Sequence, residues 1–531
     1  MAPTLRPVRP VDRLLAAARP LGEMARGDPA GRRWDAVVVG AGHTGLAAAA
    51  YMAGAGRSVL VLERRDRVGG AATVEEPWPG YQVSPCAYVV GLLDEGVVDD
   101  LLLRRRGYRV SLFDPQMYVP LGDGGRIVEW RSDERTLDDL RGWAPAAVKG
   151  FAALSRFEES IRRRLRGVDG GDDLWRRIEP PDRDEVAARL GSVDAVQAVF
   201  SDSIVDHLRR FVDDDRVVDA LSAQGTIGST ASPLDPGTAW LHLHHSLGSV
   251  DGEGGSWGYV RGGMGMVSAA FAEAAVDAGA VIVTGAPVVR IDPGRGVELD
   301  GGHRITSRVV LGNADAARIA RLLPEDGAGL VDLAAGLPMV GAAAKVNFAL
   351  TSPPAFRHPE GAGAIVNVGG GVDRLHRGAL AARRGELPEP LWAELYLPTS
   401  QDDAVAPAGR HIMSCFVQYV PYSLNGGWDD AARRRVADIV AATIEEHAPG
   451  FASLVEHVEV SVPPDIEAKV GLTGGHIFQG ECLPDHMWDR RLPYRTEVEG
   501  VYLCGAGTHP GGGVVGTNGR NAAMAVLADL E

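Results

Sequence analysis

The chain has 531 residues, of which 45% are hydrophobic and 23% charged, and its 70 acidic and 54 basic side chains give a formal net charge of −16. This is the composition of a globular protein with room for two or three folding units, so disordered, collagenous and coiled-coil chains are excluded. Binding to nucleic acid is disfavoured as well, because it requires a basic stripe that the sequence does not show.

Residues 1–33 are predicted to form an N-terminal extension, with seven arginines against three acids. We expect it to be frayed. A short amphipathic segment around Val11, Leu14 and Leu15 leaves open a peripheral contact with a membrane or an organelle-targeting role. The sequence contains no uninterrupted run of 18 apolar residues, so we predict no membrane-spanning helix.

The four cysteines, at positions 86, 415, 482 and 504, are far apart and form no CxxC pair. Neither a metal site nor a dithiol redox centre is therefore expected, and we predict no bound metal. A reducing compartment fits this usage. The expected location is the cytoplasm, or the mitochondrion if the source is eukaryotic.

The first structured segment begins at Asp35 and predicts a βαβ unit. Four apolar positions before Gly40 indicate a buried parallel strand, and an alanine-rich helix follows Gly45. A second buried strand, residues 58–63, ends in an acid, Glu63.

Two later regions repeat the pattern of strand, glycine turn and alanine-rich helix. One runs from Gly262 to Asn313, and the other begins at Gly500 and continues into a helix from Thr517. We therefore predict a nucleotide-binding domain assembled from residues 34–100, 256–336 and 465–531. Residues 101–255 and 337–464 would form a second domain of mixed sheet and helix, which binds the substrate.

The GxGxxG pattern at Gly40, Gly42 and Gly45 stands in the context that a dinucleotide fingerprint requires. Gly40 allows the sharp turn, Gly42 lets the backbone approach a pyrophosphate at the helix N-terminus, and Gly45 permits close packing of helix on strand. Glu63, about 20 residues further on, is placed to accept hydrogen bonds from ribose hydroxyls.

Four blocks of sequence carry a resemblance to a known superfamily. They are VVVGAGHTGLAAAAYMAGAG (37–56), ERRDRVGGAATVEE (63–76), GYVRGGMG (258–265) and YLCGAGTHPGGGVVGTNGRNAA (502–523). From about Trp34 to its end the chain resembles the FAD-dependent superfamily of amine oxidases and carotenoid desaturases. It is most similar to the phytoene-desaturase-like flavoproteins, and among them to the subfamily named pyridine nucleotide-disulfide oxidoreductase domain-containing protein 2.

The resemblance implies a Rossmann-type FAD-binding domain and non-covalently bound FAD. Arg65 matches an arginine that lies along the cofactor, Gly69 and Gly70 pass close to its pyrophosphate, and the backbone at Val288 contacts its adenine. Ala71 stands where amine oxidases commonly carry arginine, which disfavours that assignment. A nicotinamide is not expected, because no second fingerprint is present.

The last block implies further contacts with the flavin. Gly505 and His509 belong to a glycine-rich turn near the expected isoalloxazine ring, and the helix after Gly516 would direct its positive end at the flavin pyrimidine. A covalent tether through His509 is an alternative that the related desaturases do not use.

Lys345 lies in an apolar strand, Ala343 to Leu350, where a buried charge needs a partner. The strand resembles the amine-oxidase strand whose lysine reaches flavin N5 through a water, and a lysine that extends to solvent is the alternative. His242, His244 and His245 lack an acid or cysteine to complete a metal set. We expect His244 and His245 on the substrate side, with a structural role as the alternative.

Together these features predict an α/β flavoprotein oxidoreductase. The expected reaction is dehydrogenation of a largely apolar substrate by hydride transfer to flavin N5, with reoxidation by oxygen or a quinone. Two alternatives remain: a flavin-dependent polyene isomerase or saturase, and a flavin-bound interaction protein without turnover. The substrate and the oligomeric state are not encoded in any motif.

Overall fold

Two mixed β-sheets, one of eight strands and one of seven, organise the computed structural model, which describes residues 9–21, 31–324 and 328–531. The α/β fold class predicted from sequence is confirmed. The helices are α1 (Pro10–Ala16), α2 (His43–Gly54), α3 (Glu95–Asp100), α4 (Asp133–Arg141), α5 (Val148–Leu165), α6 (Arg183–Leu190), α7 (Val193–Phe200), α8 (Ile204–Arg209), α9 (Asp215–Leu221), α10 (Thr238–Ser246), α11 (Gly265–Asp277), α12 (Ala316–Leu322), α13 (Ala328–Ala335), α14 (Val372–Arg383), α15 (Asp430–Glu445), α16 (Phe451–Leu454), α17 (Pro463–Val470) and α18 (Thr517–Leu530). The strands are β1 (Arg19–Pro20), β2 (Trp34–Val39), β3 (Val59–Leu62), β4 (Glu75–Trp78), β5 (Tyr81–Val83), β6 (Val110–Leu112), β7 (Met117–Pro120), β8 (Arg126–Glu129), β9 (Ser249–Val250), β10 (Glu253–Gly254), β11 (Gly258–Val260), β12 (Val281–Thr284), β13 (Val288–Asp292), β14 (Gly296–Leu299), β15 (Arg304–Gly312), β16 (Ala343–Leu350), β17 (Ile365–Val368), β18 (Trp392–Tyr396), β19 (His411–Gln418), β20 (Val455–Ser461) and β21 (Val501–Leu503).

The eight-stranded sheet has the order β1-β12-β3-β2-β15-β14-β13, and β21 also pairs with β15. Strands β2 and β3 are parallel, joined by α2, and their apolar residues are buried on both faces, as is usual for parallel strands that helices cover. The predicted βαβ unit is therefore present. Its carboxyl edge, where β2 meets the turn into α2, is the edge at which ligands bind in such sheets.

Strand β15 holds this sheet together across a long stretch of sequence. Its C-terminal half pairs in parallel with β2 on one side and with β21 on the other, and its N-terminal half pairs antiparallel with β14. Segments more than 400 residues apart thus meet in one sheet.

The seven-stranded sheet has the order β20-β16-β19-β18-β17-β7-β8. Its pairs are antiparallel except β17 with β7. All its strands come from residues 117–129 and 343–461. The two-domain boundaries given above stay a prediction.

Helix α1 changes one expectation. Residues 10–16 are helical rather than frayed, because Val11 and Leu14 are buried, and Leu14 belongs to the same hydrophobic core as α11. Arg13 donates to the carbonyl oxygen of Arg106 at 2.9 Å and forms an ion pair with Glu273. The apolar side of the predicted amphipathic segment therefore faces the protein, while Leu15 is 39% exposed.

Within the described ranges, every helix is too short or too polar to cross a membrane.

Candidate functional site

A cavity of about 530 Å³ runs from the carboxyl edge of the eight-stranded sheet to one face of the seven-stranded sheet. The turn after β2 and the end of β3 line its first half. Residues of β16, β18, β19, β7, β8 and α10 line the second half. Site residues predicted from sequence that lie in its wall are Gly40, Gly42, Glu63, Arg65, Gly70, Val288, His245 and Lys345.

The glycines of the turn between β2 and α2 occupy positions where a side chain would be strained or would clash. Gly40 has φ +104°, a conformation that strains any residue with a Cβ. A Cβ at Gly42 would lie 2.6 Å from Asn313 Nδ2, and one at Gly45 would lie 2.6 Å from the carbonyl oxygen of Gly40. The bare backbone therefore opens onto the cavity at a helix N-terminus, the geometry in which a pyrophosphate is bound.

Glu63 fixes this turn from the end of β3. Its Oε2 accepts from the backbone N–H of Ala41 at 2.8 Å, and its Oε1 accepts from that of Arg65 at 2.9 Å. Each carboxylate oxygen retains a lone pair for a further donor. The carboxylate is 93% buried at the cavity wall, so it is rigid before any ligand arrives.

The residues after Glu63 continue the same wall. Arg65 Nη2 pairs with Glu75 at 2.6 Å, which holds the guanidinium beside Gly70. Gly69 forms a β-bridge with Gly42 rather than lining the cavity itself, and a Cβ at Gly70 would lie 3.3 Å from the Gly42 Cα. The pair therefore packs the second glycine turn against the first.

The C-terminal block contributes Ala506, Gly513 and Val514 to the cavity wall. Gly505 and Gly516 lie behind it. A Cβ at Gly505 would meet Gln479 Oε1 at 2.4 Å, and one at Gly516 would meet Leu93 Cδ1 at 3.1 Å. Both glycines are packing positions, and the role of the helix dipole of α18 stays a prediction.

His509 is not brought to the cavity. Its ring is 99% buried and its Nε2 is hydrogen-bonded to the carbonyl oxygen of Leu174 at 2.8 Å. Burial lowers its pKa to about 4, so the ring is neutral. The expectation that His509 contacts the flavin is therefore not supported, because a backbone carbonyl outside the cavity occupies the ring nitrogen.

His43, between the second and third glycines of the fingerprint, was overlooked in the sequence. It begins α2 and lines the cavity, and among the described residues its buried Nε2 has no hydrogen-bond partner. Burial lowers its pKa to about 4. A buried, unpartnered nitrogen beside the glycine turn fits a site completed by a ligand.

Lys345 is a buried lysine in the second half of the cavity. Its side chain projects from β16, and its Nζ donates to Ser414 Oγ at 2.5 Å and lies 4.4 Å from the centroid of the Tyr88 ring. Burial lowers its pKa to about 8. Because it is 97% buried, the alternative of a lysine that extends to solvent is wrong.

An acid that the sequence interpretation missed lies two strands away. Lys345 pairs with Phe416 across β16 and β19, and Phe416 pairs with Glu394 across β19 and β18. Glu394 accepts from the Tyr88 hydroxyl at 2.5 Å, and burial raises its pKa. A charged residue inside the apolar strand Trp392–Tyr396 was the available signal, the same one that identified Lys345.

The histidines lie on a helix, α10, which decides which of them face the cavity. His242 and His245 line it, three residues apart. His244 points away: its Nε2 is hydrogen-bonded to the carbonyl oxygen of Gly512 at 3.1 Å. The expectation for His244 is therefore wrong, and that for His245 remains a prediction. In a strand His242 and His244 would share a face, whereas in this helix His242 shares its face with His245. No group of three potential metal ligands occurs in the part of the chain that the structure describes.

Comparisons with known proteins find relatives that match most of the chain. The family profile described as flavin-containing amine oxidoreductase matches residues 43–527. The rat pyridine nucleotide-disulfide oxidoreductase domain-containing protein 2 is 34% identical, with 94% of each chain covered. The phytoene dehydrogenase of Streptomyces griseus is 26% identical over 90% of this chain and 92% of that protein. An oxidoreductase from Methanosarcina mazei has the same fold, with a TM-score of 0.57, 18% identity and coverage of 93% and 99%.

Proposed function

Because this chain belongs to the flavin-containing amine oxidoreductase family and is an FAD-dependent oxidoreductase, we propose that it dehydrogenates a largely apolar substrate. Bound FAD would supply a hydride acceptor at flavin N5, with oxygen or a quinone as the oxidant that regenerates it. The protein's part is to hold the cofactor, to exclude water and to place the substrate.

The first half of the cavity supplies the residues that would hold FAD. The Gly40–Gly45 turn leaves backbone exposed for the pyrophosphate, and Glu63 retains lone pairs for the ribose hydroxyls. Arg65 is held at the same wall by Glu75. Val288, at the start of β13, lines the end expected to take the adenine.

The observation that carries the proposal is the continuity of this cavity from the glycine turn to Lys345. Lys345 is a buried amine. Its Nζ donates a hydrogen bond to Ser414 Oγ and also lies over the face of the Tyr88 ring. A lysine in this setting is suited to hold a water at the flavin edge and to exchange a proton near neutral pH, because burial brings its pKa to about 8.

An apolar substrate is supported by the wall beyond Lys345. Met117, Leu221, Ile227, Ile365 and Phe416 line that half of the cavity. Binding sites for small molecules combine such apolar walls with a few placed polar groups. The similarity to the phytoene dehydrogenase of Streptomyces griseus and the alanine at position 71 favour the same reading over a primary amine.

Anaerobic bleaching of the flavin tests the proposal directly. The holoenzyme is mixed with panels of polyenes, acyl chains and primary amines, and flavin absorbance is followed. We expect reduction by at least one apolar compound. Rapid reduction by a small amine, with none by any apolar compound, would overturn the proposal in favour of an amine oxidase.

Product analysis in the same mixtures separates the polyene alternative. A polyene that is rearranged while the flavin ends as oxidised as it began would indicate an isomerase. A saturated product formed from pre-reduced enzyme would indicate a saturase. Either result would replace dehydrogenation as the reaction of this site.

A further inference from the structure

The far end of the cavity holds an ionisable cluster that the proposed reaction does not use. Glu158 Oε1 accepts from two imidazoles, His242 Nε2 at 3.0 Å and His207 Nε2 at 2.9 Å. Burial alone would raise the pKa of Glu158, but the charge of His242 and the two hydrogen bonds outweigh it and lower the pKa to about 2. Burial would lower the pKa of His242, and Glu158 reverses this and raises it. Glu158 thus favours the protonated form of His242 and balances the charge of that form.

Glu129 is the acid of this cluster that faces the cavity. It ends β8 and lines the cavity, and among the described residues no hydrogen bond or ion pair reaches its carboxyl group. Burial raises its pKa to about 7. The charge of His242 lowers this pKa, whereas the charges of Glu158 and Asp133 raise it further. A buried carboxyl group without a protein partner is costly unless a ligand or water completes it.

His245 adds a second acceptor to the lining of the cavity, and like Glu129 it lies within reach of the charge of His242. Its Nδ1 lies 2.7 Å from the carbonyl oxygen of Leu241, so this nitrogen carries the proton. Burial lowers the pKa of the ring to about 4, which keeps it neutral. Its Nε2 therefore presents a lone pair, one helical turn from His242 on the cavity side of α10.

Strand pairing relates this end of the cavity to Lys345. Glu129 pairs with Met117, and Met117 pairs with Ile365 on β17. Asn367, two residues along β17, belongs to the row that joins Glu394, Phe416 and Lys345. Residues two apart on a strand share a face, so Glu129 and Lys345 project from the same side of the sheet.

The distance between the two ends follows from the strand order. Five steps separate β16 from β8, and at about 4.8 Å a step the two positions are about 24 Å apart along the sheet. Apolar side chains, Phe416, Ile365 and Met117, lie between them in the wall. Glu394, on β18 in the same row, lines the wall between them as well, so this stretch combines apolar side chains with a buried acid that accepts from Tyr88.

We propose that Glu129 and His245 form an end-group subsite that binds the terminal hydroxyl of an elongated, otherwise apolar substrate. The inference rests on the proposed function and adds to it the class of substrate, a long-chain alcohol whose reacting carbons lie near Lys345. The hydroxyl donates its proton to Glu129 or to His245 Nε2, and its oxygen accepts from the carboxyl group when that group is protonated.

Charge decides against other end groups. A carboxylate would meet the imidazole of His242, whose positive charge Glu158 already balances, and it would face Glu129, the acid that lines the cavity. An ammonium group would require Glu129 to stay ionised, which burial opposes at neutral pH. A hydroxyl brings no charge into the buried site: it donates its one proton to either acceptor, and its oxygen accepts from Glu129 when that carboxyl group is protonated.

Calorimetric titration of the holoenzyme with four ligands of one chain length tests the subsite. The probes are 1-octanol, octyl methyl ether, octylamine and sodium octanoate, each below its solubility limit. The ether keeps the alkyl chain and the oxygen of the alcohol but carries a methyl group in place of the donor proton. We expect octanol to bind about tenfold more tightly than the ether, which corresponds to about 1.4 kcal/mol, and more tightly than the amine and the acid.

Variants assign the effect to the subsite. Glu129→Leu should abolish the advantage of octanol over the ether, whereas Glu129→Gln, which keeps a carbonyl acceptor of the same shape, should retain part of it. His245→Phe should reduce the advantage and provides a second route if Glu129→Leu does not fold, which the flavin absorbance of the purified protein reveals. Glu134→Gln, an exposed acid on α4, is the matched control and should leave all four affinities unchanged.

Each contrary result is distinct. If octylamine or octanoate binds most tightly, the substrate is not a long-chain alcohol. If all four probes bind equally, there is no subsite. The same conclusion follows if the octanol advantage survives in both Glu129→Leu and His245→Phe. Because titration reads binding without flavin reduction, these outcomes are separate from a failure of the dehydrogenation proposal, which would appear only as absence of bleaching.

Discussion

The ammonium group of Lys345 lies over the face of Tyr88, with Nζ 4.4 Å from the ring centroid. The hydroxyl of the same tyrosine donates to Glu394 at 2.5 Å, so Tyr88 links a buried base to a buried acid that do not touch each other. A ring face stabilises a cation less than a carboxylate would. Burial can therefore lower the pKa of Lys345 to about 8 and make its proton exchangeable.

Replacing Lys345 should separate chemistry from cofactor binding. Lys345→Met should leave FAD bound, because the lysine contacts Ser414 and Tyr88 rather than the glycine turn. Flavin reduction or reoxidation should slow by roughly 10²-fold if the lysine places a water or moves a proton. Stopped-flow absorbance measures both steps. Lys149→Met, at an exposed lysine, is the control, and traces of Lys345→Met that coincide with wild type would make the lysine structural.

Glu129 should make the free energy of unfolding depend on pH. Burial raises its pKa from 4.5 to about 7, so between these values the folded protein keeps a proton that the unfolded chain has lost. The wild type should therefore lose stability relative to Glu129→Gln as pH rises from 4.5 to 7, with a constant difference above that range. Denaturant titrations at pH 5 and pH 8 measure the difference. A pH-independent gap between the two proteins would contradict the assigned environment.

Glu63 should contribute to FAD affinity. Its carboxylate holds the N–H groups of Ala41 and Arg65 and has lone pairs left for ribose hydroxyls. Glu63→Ala should weaken FAD binding by about 1.5–3 kcal/mol, the worth of a hydrogen bond to a charged group. Fluorescence titration of the apoprotein with FAD gives the affinity. Asp66→Asn, at a neighbouring exposed acid that pairs with Arg67, should bind FAD like the wild type.

FAD should be released by acid without cleavage of a bond. His509, one candidate for a tether, lies outside the cavity with its Nε2 hydrogen-bonded to Leu174. Cys86 lines the cavity, but burial raises the pKa of its thiol to about 12, which keeps it unreactive. Precipitation with trichloroacetic acid should leave a yellow supernatant whose flavin is FAD. Yellow colour that stays with the pellet would show a covalent link.

Local patterns predicted the elements that carry their own signal. The fingerprint turn, the acid at the end of β3 and the strand around Lys345 are each contained in one short segment, and Ala343–Leu350 has the predicted bounds. Their hydrophobic periodicity and glycine positions depend on neighbours in sequence. The interpretation of these segments needed no knowledge of the rest of the chain.

The second half of the cavity was less accessible to the same reasoning. The roles of His242, His244 and His245 depended on whether the segment is a helix or a strand, which three histidines and two leucines do not decide. Glu129 meets the row of Lys345 only through the order of strands from distant segments. Charge inside an apolar strand was a usable signal for Glu394, whereas Glu129 ends a short strand whose burial arises from tertiary packing.

Strand β15 has a consequence for how the protein is made. It needs β2 on one side and β21, residues 501–503, on the other, so the sheet that carries the glycine turn is incomplete until nearly the whole chain has left the ribosome. Contacts of such sequence separation form slowly because a long loop must close first. The complete sheet behind the glycine turn therefore cannot form before residues 501–503 have been synthesised. A ribosome-stalled chain ending before residue 500 would present the fingerprint turn without the partner strand that completes its sheet.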